Sequence, residues 1–457
     1  MRVLLLSTYD LGHQPFALAS AAARLRGEGI PVTCNDVAVD DLNEEAVAGA
    51  DLIAIHLAMH TATRLSLELL PRLVALNSDA TYVFFGLYAP MARELITEDI
   101  TAHFIGGEIE DELLGLAKTG NPPANDIHLS KLLLETPDRT DLPALDKYAR
   151  LQKSEGNDVV TGYTEATRGC KHVCRHCPVV PVYGGKFFPI PVETVLADID
   201  QQVEAGARHI SFGDPDFFNG PSHGLRVVRE MRNRHPHLTY DVIIKVEHLL
   251  KHRNRLPELK QTGCLFITTA VESVDDRTLT LLDKGHTRAA FIEAVSLVRA
   301  SGLTLSPTFI PFTPWTTLDG YRDLLSVIRD LDLIENVSPI QLAIRLLIPL
   351  GSRLLELEDL PLTPEVFDRD ALSYTWANPD LAVDELANTI QGIVDHGESA
   401  GDSRSAIFTQ IWQTAHEIDG TDAPALLMTE RPKMFVPRMS EPWYCCAEPS
   451  REQLARV

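Results

Sequence analysis

The sequence predicts an α/β protein in three parts: a doubly wound parallel sheet, a partial (β/α) barrel, and a mostly helical C-terminal extension. Three observations carry this. Short apolar runs alternate with Ala- and Leu-rich helical stretches from the first residues onward, the pattern of a parallel sheet covered on both faces. The alternation lapses over residues 118–157, which hold Asn-Pro-Pro and several Asp, and resumes at Asp158 for roughly six units. A chain of 457 residues is also too long for one core. The expected divisions are residues 1–135, 155–360 and 361–457.

In the first part, residues 2–7, 31–39, 51–57, 81–85 and 103–105 read as strands, and 16–26 and 64–76 as helices. Ligands of such sheets sit beyond the carboxyl ends of the strands, here 7–15, 57–63, 86–90 and 106–108. In the second part the expected strands are 159–166, 209–212, 241–246, 265–271, 303–309 and 341–348. Helices are expected at 191–204, 224–234, 288–300 and 318–331. Catalytic residues of a parallel barrel lie at strand carboxyl ends, and a cysteine-rich loop follows the first strand. In the third part, 379–398 and 405–417 have helical character.

The formal net charge is −23. Nucleic-acid binding draws on a basic face that neutralises phosphates, so nucleic acid is not an expected partner. The apolar run at the start is too short for a secretory signal, and no stretch approaches a membrane span. A cytoplasmic protein without membrane contact is the expectation.

Seven cysteines, an odd number, are clustered rather than spread, which suggests metal or redox work over a disulfide scaffold. The segment Glu165-Ala-Thr-Arg-Gly-Cys170-Lys-His-Val-Cys174-Arg-His-Cys177-Pro178 lets three thiolates curl round one centre. Soft thiolates suit iron–sulfur clusters, zinc or copper. A closed zinc site needs four ligands, and His172 or His176 could supply the fourth. Lys171 and Arg175 favour thiolates and an anionic cluster.

C-x3-C-x2-C after Thr-Arg-Gly resembles the radical S-adenosylmethionine (SAM) superfamily. The resemblance implies that Cys170, Cys174 and Cys177 bind three irons of a [4Fe–4S] cluster, with SAM on the fourth. Cluster reduction then cleaves SAM to a 5′-deoxyadenosyl radical that abstracts hydrogen from a substrate. Further segments resemble the family in the same order. Ser211-Phe-Gly-Asp214-Pro-Asp216-Phe-Phe-Asn219 stands where the family holds the SAM amino group. Lys245-Val-Glu247 follows the next strand, and Glu272-Ser273 stands where the family makes polar contacts to SAM. Lys284-Gly-His-Thr287 is similar to the subgroup that carries a cobalamin-type front domain.

The front half resembles those cobalamin-binding domains, which implies cobalamin between the two halves and a methyl transfer. The loop pattern D-x-H-x-x-G is replaced by Asp10-Leu-Gly-His13-Gln-Pro-Phe. Asp10 and His13 are the candidate cofactor-binding residues of this loop, and two readings stay open: cobalamin bound, in many relatives without a protein ligand to cobalt, or a sheet without cofactor. The segment Pro442-Trp-Tyr-Cys445-Cys446-Ala-Glu-Pro449 resembles the CUAEP/CCAEP-tail radical SAM proteins, in which the position of Cys446 is selenocysteine or cysteine. That implies catalytic use of Cys446 and Cys445 as nucleophile or redox pair; the alternative is a pair of small buried residues in a docked tail.

The function expected is therefore a radical SAM enzyme with a [4Fe–4S] cluster and SAM, acting with or without cobalamin on a small-molecule or peptide substrate. Its electrons would come from a reductant such as flavodoxin or ferredoxin. The alternative from another class is an iron–sulfur electron-transfer or binding protein.

Overall fold

The computed structural model describes residues 1–457 except 97–98, 132–133, 155, 359, 419, 421–422, 427–434 and 442–447, and only the backbone over 362–366. Cys445 and Cys446 lie outside the described residues.

The front sheet holds β1 (Val3–Ser7), β2 (Val32–Asp36), β3 (Leu52–His56), β4 (Thr81–Phe85), β5 (Ala102–Gly107) and a short β6 (Ile127–His128). Their order is β2-β1-β3-β4-β5-β6, and every neighbouring pair is parallel. β1 shows why a strand in such a sheet reads as one apolar run. Successive side chains point to opposite faces. Val3 and Leu5 pack with Leu18, Ala22 and Leu25 of helix Phe16–Gly27, while Leu4 and Leu6 pack with Leu69, Leu70 and Leu73 of helix His60–Leu76. All five β1 residues are buried, as a strand covered on both sides requires. The chain reverses its direction of winding between β1 and β3, so the crevice there is the switch point at which doubly wound sheets take ligands.

The second sheet is a curled half-barrel. β8 (Asn157–Thr164), β11 (His209–Phe212), β12 (Thr239–Ile243), β13 (Cys264–Glu272) and β14 (Thr304–Phe309) are parallel neighbours. β7 (Arg150–Ser154) runs antiparallel on the outer edge of β8, and β17 (Arg438–Met439) antiparallel on β7. β9 (Thr167–Gly169) and β10 (Phe187–Pro189) form a two-stranded ribbon round the cysteine loop. Helices Leu381–Ala400 and Arg404–Glu417 join the barrel core through Leu386, Ile390, Ile411 and Trp412.

Three expectations are corrected. Residues 341–348 are not a strand. A 3-10 turn, Pro339–Leu342, opens that run, and one parallel bridge, Phe312 to Arg345, replaces a ladder; Pro339 has no N–H to give a sheet. The stretch 118–157 contains β6 and all of β7, whose partners lie in the two sheets and left no local signal. The extension also holds an antiparallel pair, β15 (Leu362–Asp368) and β16 (Ser373–Trp376). Among the described residues no helix is long and apolar enough to cross a membrane.

Candidate active site

β9 delivers the cysteines. Gly169 turns the chain at φ +75°, and a Cβ there would lie 2.4 Å from Tyr183 and 2.5 Å from the Lys186 carbonyl, so only glycine fits. Cys170 and Cys174 are buried and Cys177 half-buried. The Asn219 side chain clamps the loop, donating to the Gly169 carbonyl (3.3 Å) and accepting from the Lys171 N–H (3.0 Å). Arg353 donates to the Val173 carbonyl at 2.8 Å, and the Arg175 N–H to the Leu282 carbonyl at 2.9 Å.

Burial pushes the Cys170 thiol up to about 11 and the Cys177 thiol up to about 12. A bound metal reverses this by taking the thiolates. Two buried cations prepare for that charge. Lys245 Nζ lies 3.4 Å from Cys174 Sγ, and Lys284 also acts on Cys174 and Cys177. The site thus has two buried thiols and one half-buried thiol beside two ammonium groups, a donor set and a charge balance that fit an anionic iron–sulfur cluster.

The carboxylates beside the loop are each committed. Asp214 accepts from the Ala166 N–H (2.9 Å) and the Thr167 hydroxyl (2.6 Å), fixing β9 to the end of β11. Glu272 stands at φ +68° on a β-bulge in the β13–β14 pairing. A non-glycine residue there carries strain of about 1–3 kcal/mol, and the bulge re-aims the side chain. Its carboxylate meets Lys284 Nζ at 3.0 Å and His176 Nε2 at 3.2 Å. Burial opposes the charge, but Lys284 and His176 outweigh it and hold Glu272 at about 2. Ser273 accepts from the Asp275 N–H in the next turn. Asp216 caps Phe218 N–H through Oδ1 at 2.9 Å, while Oδ2 faces His248 Nδ1 (2.8 Å) and His172 Nε2 (3.3 Å). Glu247 remains partly exposed, 3.6 Å from His172 Nδ1. Of the two histidines that could have closed a zinc site with the cysteines, His176 is bonded to Glu272, and His172 faces Asp216 and Glu247.

The front sheet presents its carboxyl edge to this loop. Leu87 and Leu129 pack against the cluster of Cys170, Val179, Val182 and Tyr183. Tyr183 donates to Glu108 beyond β5 at 3.1 Å. Arg168 of β9 reaches across to Glu108 (3.2 Å) and Glu110 (2.8 Å), and back to Glu165 (3.1 Å).

Residues 164–326 match the family profile of the radical SAM superfamily. The chain carries a radical SAM domain. The three cysteines fall inside the matched stretch. The tRNA-2-methylthio-N(6)-dimethylallyladenosine synthase of Photobacterium profundum is 26% identical over 205 residues, 42% of this chain and 42% of that protein. The synthase of Aliivibrio fischeri is 27% identical over 213 residues with the same shares. The chain thus spans about two-fifths of the length of these curated relatives. Among solved structures, the cobalamin-dependent S-adenosylmethionine radical enzyme OxsB, with aqua-cobalamin and S-adenosylmethionine bound, superposes with a TM-score of 0.69 at 16% identity, over 87% of this chain and 67% of that one. The radical S-adenosylmethionine methyltransferase TsrM from Kitasatospora setae, with cobalamin and a [4Fe–4S] cluster bound, gives 0.55 at 16% identity over 72% and 70%. At such identities the shared property is the fold, and it includes the front sheet.

Two features of the front edge bear on the radical SAM domain. Asp10 is buried beside Glu165 and Asp36, and its carboxyl is raised, by burial first and by those neighbours next. His13 stacks on Tyr163 of β8 with ring centroids 4.7 Å apart, and burial lowers it to about 4; a neutral ring packed on the barrel is its place here. The second feature is the tail. Glu441 accepts from Tyr9 Oη at 2.9 Å, and Glu448 lies 2.9 Å from His60 Nε2 and 3.3 Å from Arg64. Tyr9 follows β1 and His60 follows β3, so the residues on either side of 442–447 dock on the two lips of the switch point. Sequence reasoning missed Asn219, Arg168, His248 and these two glutamates. Asn219 stood inside a quoted motif, and Arg168 stood in Thr-Arg-Gly, but their partners are remote in sequence.

Proposed function

We propose that this protein is a cobalamin-dependent radical SAM enzyme of the CUAEP/CCAEP-tail type that transfers a methyl group or otherwise activates a C–H bond of a small molecule or peptide. The observation that carries this is the facing arrangement of two sites. The cysteine loop and the carboxyl edge of the front sheet, at the ends of β4, β5 and β6, share one hydrophobic cluster and the Arg168–Glu108 contact.

Cys170, Cys174 and Cys177 are the residues that would hold a [4Fe–4S] cluster, and the crevice between β1 and β3 would hold cobalamin. When bound, these groups supply the electron that splits SAM to a 5′-deoxyadenosyl radical and a cobalt centre that carries a methyl group. Lys245 and Lys284 balance the charge of the thiolates. Glu247 and Ser273 are the groups left to meet the polar end of SAM, while Asp214, Asp216 and Glu272 position the strand ends around it. His13 takes no axial role, because its ring is stacked on Tyr163. Cys446, with Cys445, would act as nucleophile or redox pair; Glu441 and Glu448, which flank them in sequence, seat on the lips of the crevice.

Anaerobic reconstitution with iron, sulfide and cobalamin tests this. About four irons and one cobalt per chain, and 5′-deoxyadenosine or methyl loss from SAM after reduction, are expected. Iron without SAM turnover would reduce the protein to an electron carrier. Turnover without retained cobalt would leave a radical SAM enzyme that works without cobalamin.

A further inference from the structure

His172, Asp216 and His248 converge behind the cysteine loop. One donor atom of each lies within 4.8 Å of the other two. Asp216 Oδ2 is 2.8 Å from His248 Nδ1 and 3.3 Å from His172 Nε2. Asp216 is fully buried and His248 nearly so. These separations are short enough for hydrogen bonds, yet none of the three atoms has an aligned partner. Three buried polar atoms in one place without an aligned hydrogen bond leave a desolvation cost that their mutual contacts do not meet. A bound cation removes it. Ligand atoms on a tetrahedral ion with bonds of about 2.0–2.1 Å stand about 3.4 Å apart, close to the spacing found.

The rest of the surroundings fit the same assignment. Asp216 Oδ1 is held by the Phe218 N–H, which fixes the carboxylate and leaves Oδ2 as the ligand atom. His172 turns its other nitrogen, Nδ1, toward Glu247 Oε2 at 3.6 Å, and metal-bound histidines are oriented by such carboxylates. Two imidazoles and one carboxylate suit a borderline divalent ion such as zinc or iron(II), and are poor ligands for the soft centre that three thiolates select.

We propose that His172, Asp216 and His248 form a second metal site, distinct from the three cysteines, which takes a divalent first-row cation of the zinc class. The ion ties three elements together: the loop between Cys170 and Cys174, the turn after β11, and helix Val246–Lys251. The same elements carry Asn219 and Lys245, the side chains that touch the cysteine loop. The proposal stands whichever cofactor the front crevice takes.

The test uses the full chain, purified anaerobically with its cysteine site reconstituted, and zinc ion alone as probe. After dialysis against a weak chelator, wild type should retain about one zinc per chain beside its iron. The zinc X-ray absorption spectrum should show nitrogen and oxygen neighbours near 2.0–2.1 Å and no sulfur shell near 2.3 Å. His248→Gln should weaken zinc retention by roughly a hundredfold while iron content stays, since even an outer partner is worth ten- to a hundredfold. Asp216→Asn, which keeps the cap on Phe218, should do the same and decides the matter if His248→Gln folds poorly. His252→Gln, whose ring lies 5.5 Å from His248, should retain zinc. The proposal is overturned if wild type holds no zinc, if its zinc is bound by sulfur, or if both variants keep it. Any of these would leave the trio a polar network alone.

Discussion

Replacing Arg168 by methionine should loosen the hold of the front sheet on the barrel. The guanidinium is about nine-tenths buried and meets Glu108, Glu110 and Glu165 within 3.2 Å, with Ser20 Oγ at 3.3 Å. Methionine fills much of the same volume, so the loss is electrostatic. Three carboxylates remain without their cation, and breaking a buried ion pair from one side costs about 3–5 kcal/mol. At roughly 2 cal/mol/K per residue over 457 residues, this is a fall in Tm of about 3–5 °C if both sheets melt together. If they separate, a new early transition marks the front sheet. Differential scanning calorimetry at pH 8 and pH 6 reads both. The sign with pH is fixed by burial, which raises Glu108 and lifts Glu165 to about 7 against the pull of Arg168. Without Arg168 both rise further, the folded state binds protons more tightly than the unfolded one, and stability is regained on acidification. The deficit should therefore shrink from pH 8 to pH 6. A deficit under about 1 kcal/mol, or one equal at both pH values, would refute the claim that this cation holds the two sheets together.

Other perturbations follow from the same geometry. Glu165 is raised mainly by burial, so its contribution is most favourable below its ordinary value and is lost as pH climbs through about 7; Glu165→Gln should be more stable than wild type at pH 8 by about 1–3 kcal/mol, with the advantage gone near pH 5 in urea titrations. Asn219→Ala removes both hydrogen bonds that clamp the cysteine loop, and should cost about 1–3 kcal/mol and lower the iron retained after reconstitution, read by metal analysis. Gly169→Ala places a methyl 2.4 Å from Tyr183 at φ +75°, and should abolish soluble expression or iron binding, whereas Gly29→Ala, with open space around it, should cost only about 1 kcal/mol of backbone strain. The pair Glu441→Ala and Glu448→Ala frees the tail from Tyr9, His60 and Arg64; at about 1 kcal/mol for each contact, proteolysis beyond residue 435 should quicken by about tenfold or more, and unchanged cleavage would mean that the glutamates do not hold it.

The parallel strands are legible in the sequence because burial on both faces leaves an uninterrupted apolar run, as in β1 and β3, and Thr81–Phe85 reads at its observed bounds. The cysteine loop is legible because three thiols at short spacing have few other uses. Residues 341–348 fail because an apolar run says nothing of hydrogen bonding, and Pro339 diverts the chain into a 3-10 turn. The histidines of the loop read as possible ligands beside the cysteines. Their partners, Asp216, His248 and Glu272, lie far along the chain, as with the 96 positions between His176 and Glu272, and spacing does not encode such pairings. Arg168 escapes notice for the same reason, since Glu108 is 60 residues off.

Tyr9 and Glu441 stand 432 positions apart, and His60 and Glu448 stand 388 apart. On the ribosome, β1 to β5 emerge long before either glutamate exists. At about 5–20 residues per second the interval is roughly 20–80 s. Throughout it the nascent front sheet can settle without those two glutamates. Once both glutamates have emerged, Glu441 seats on the lip after β1 and Glu448 on the lip after β3. Order of synthesis thus separates the folding of the front sheet from the seating of the tail residues on it.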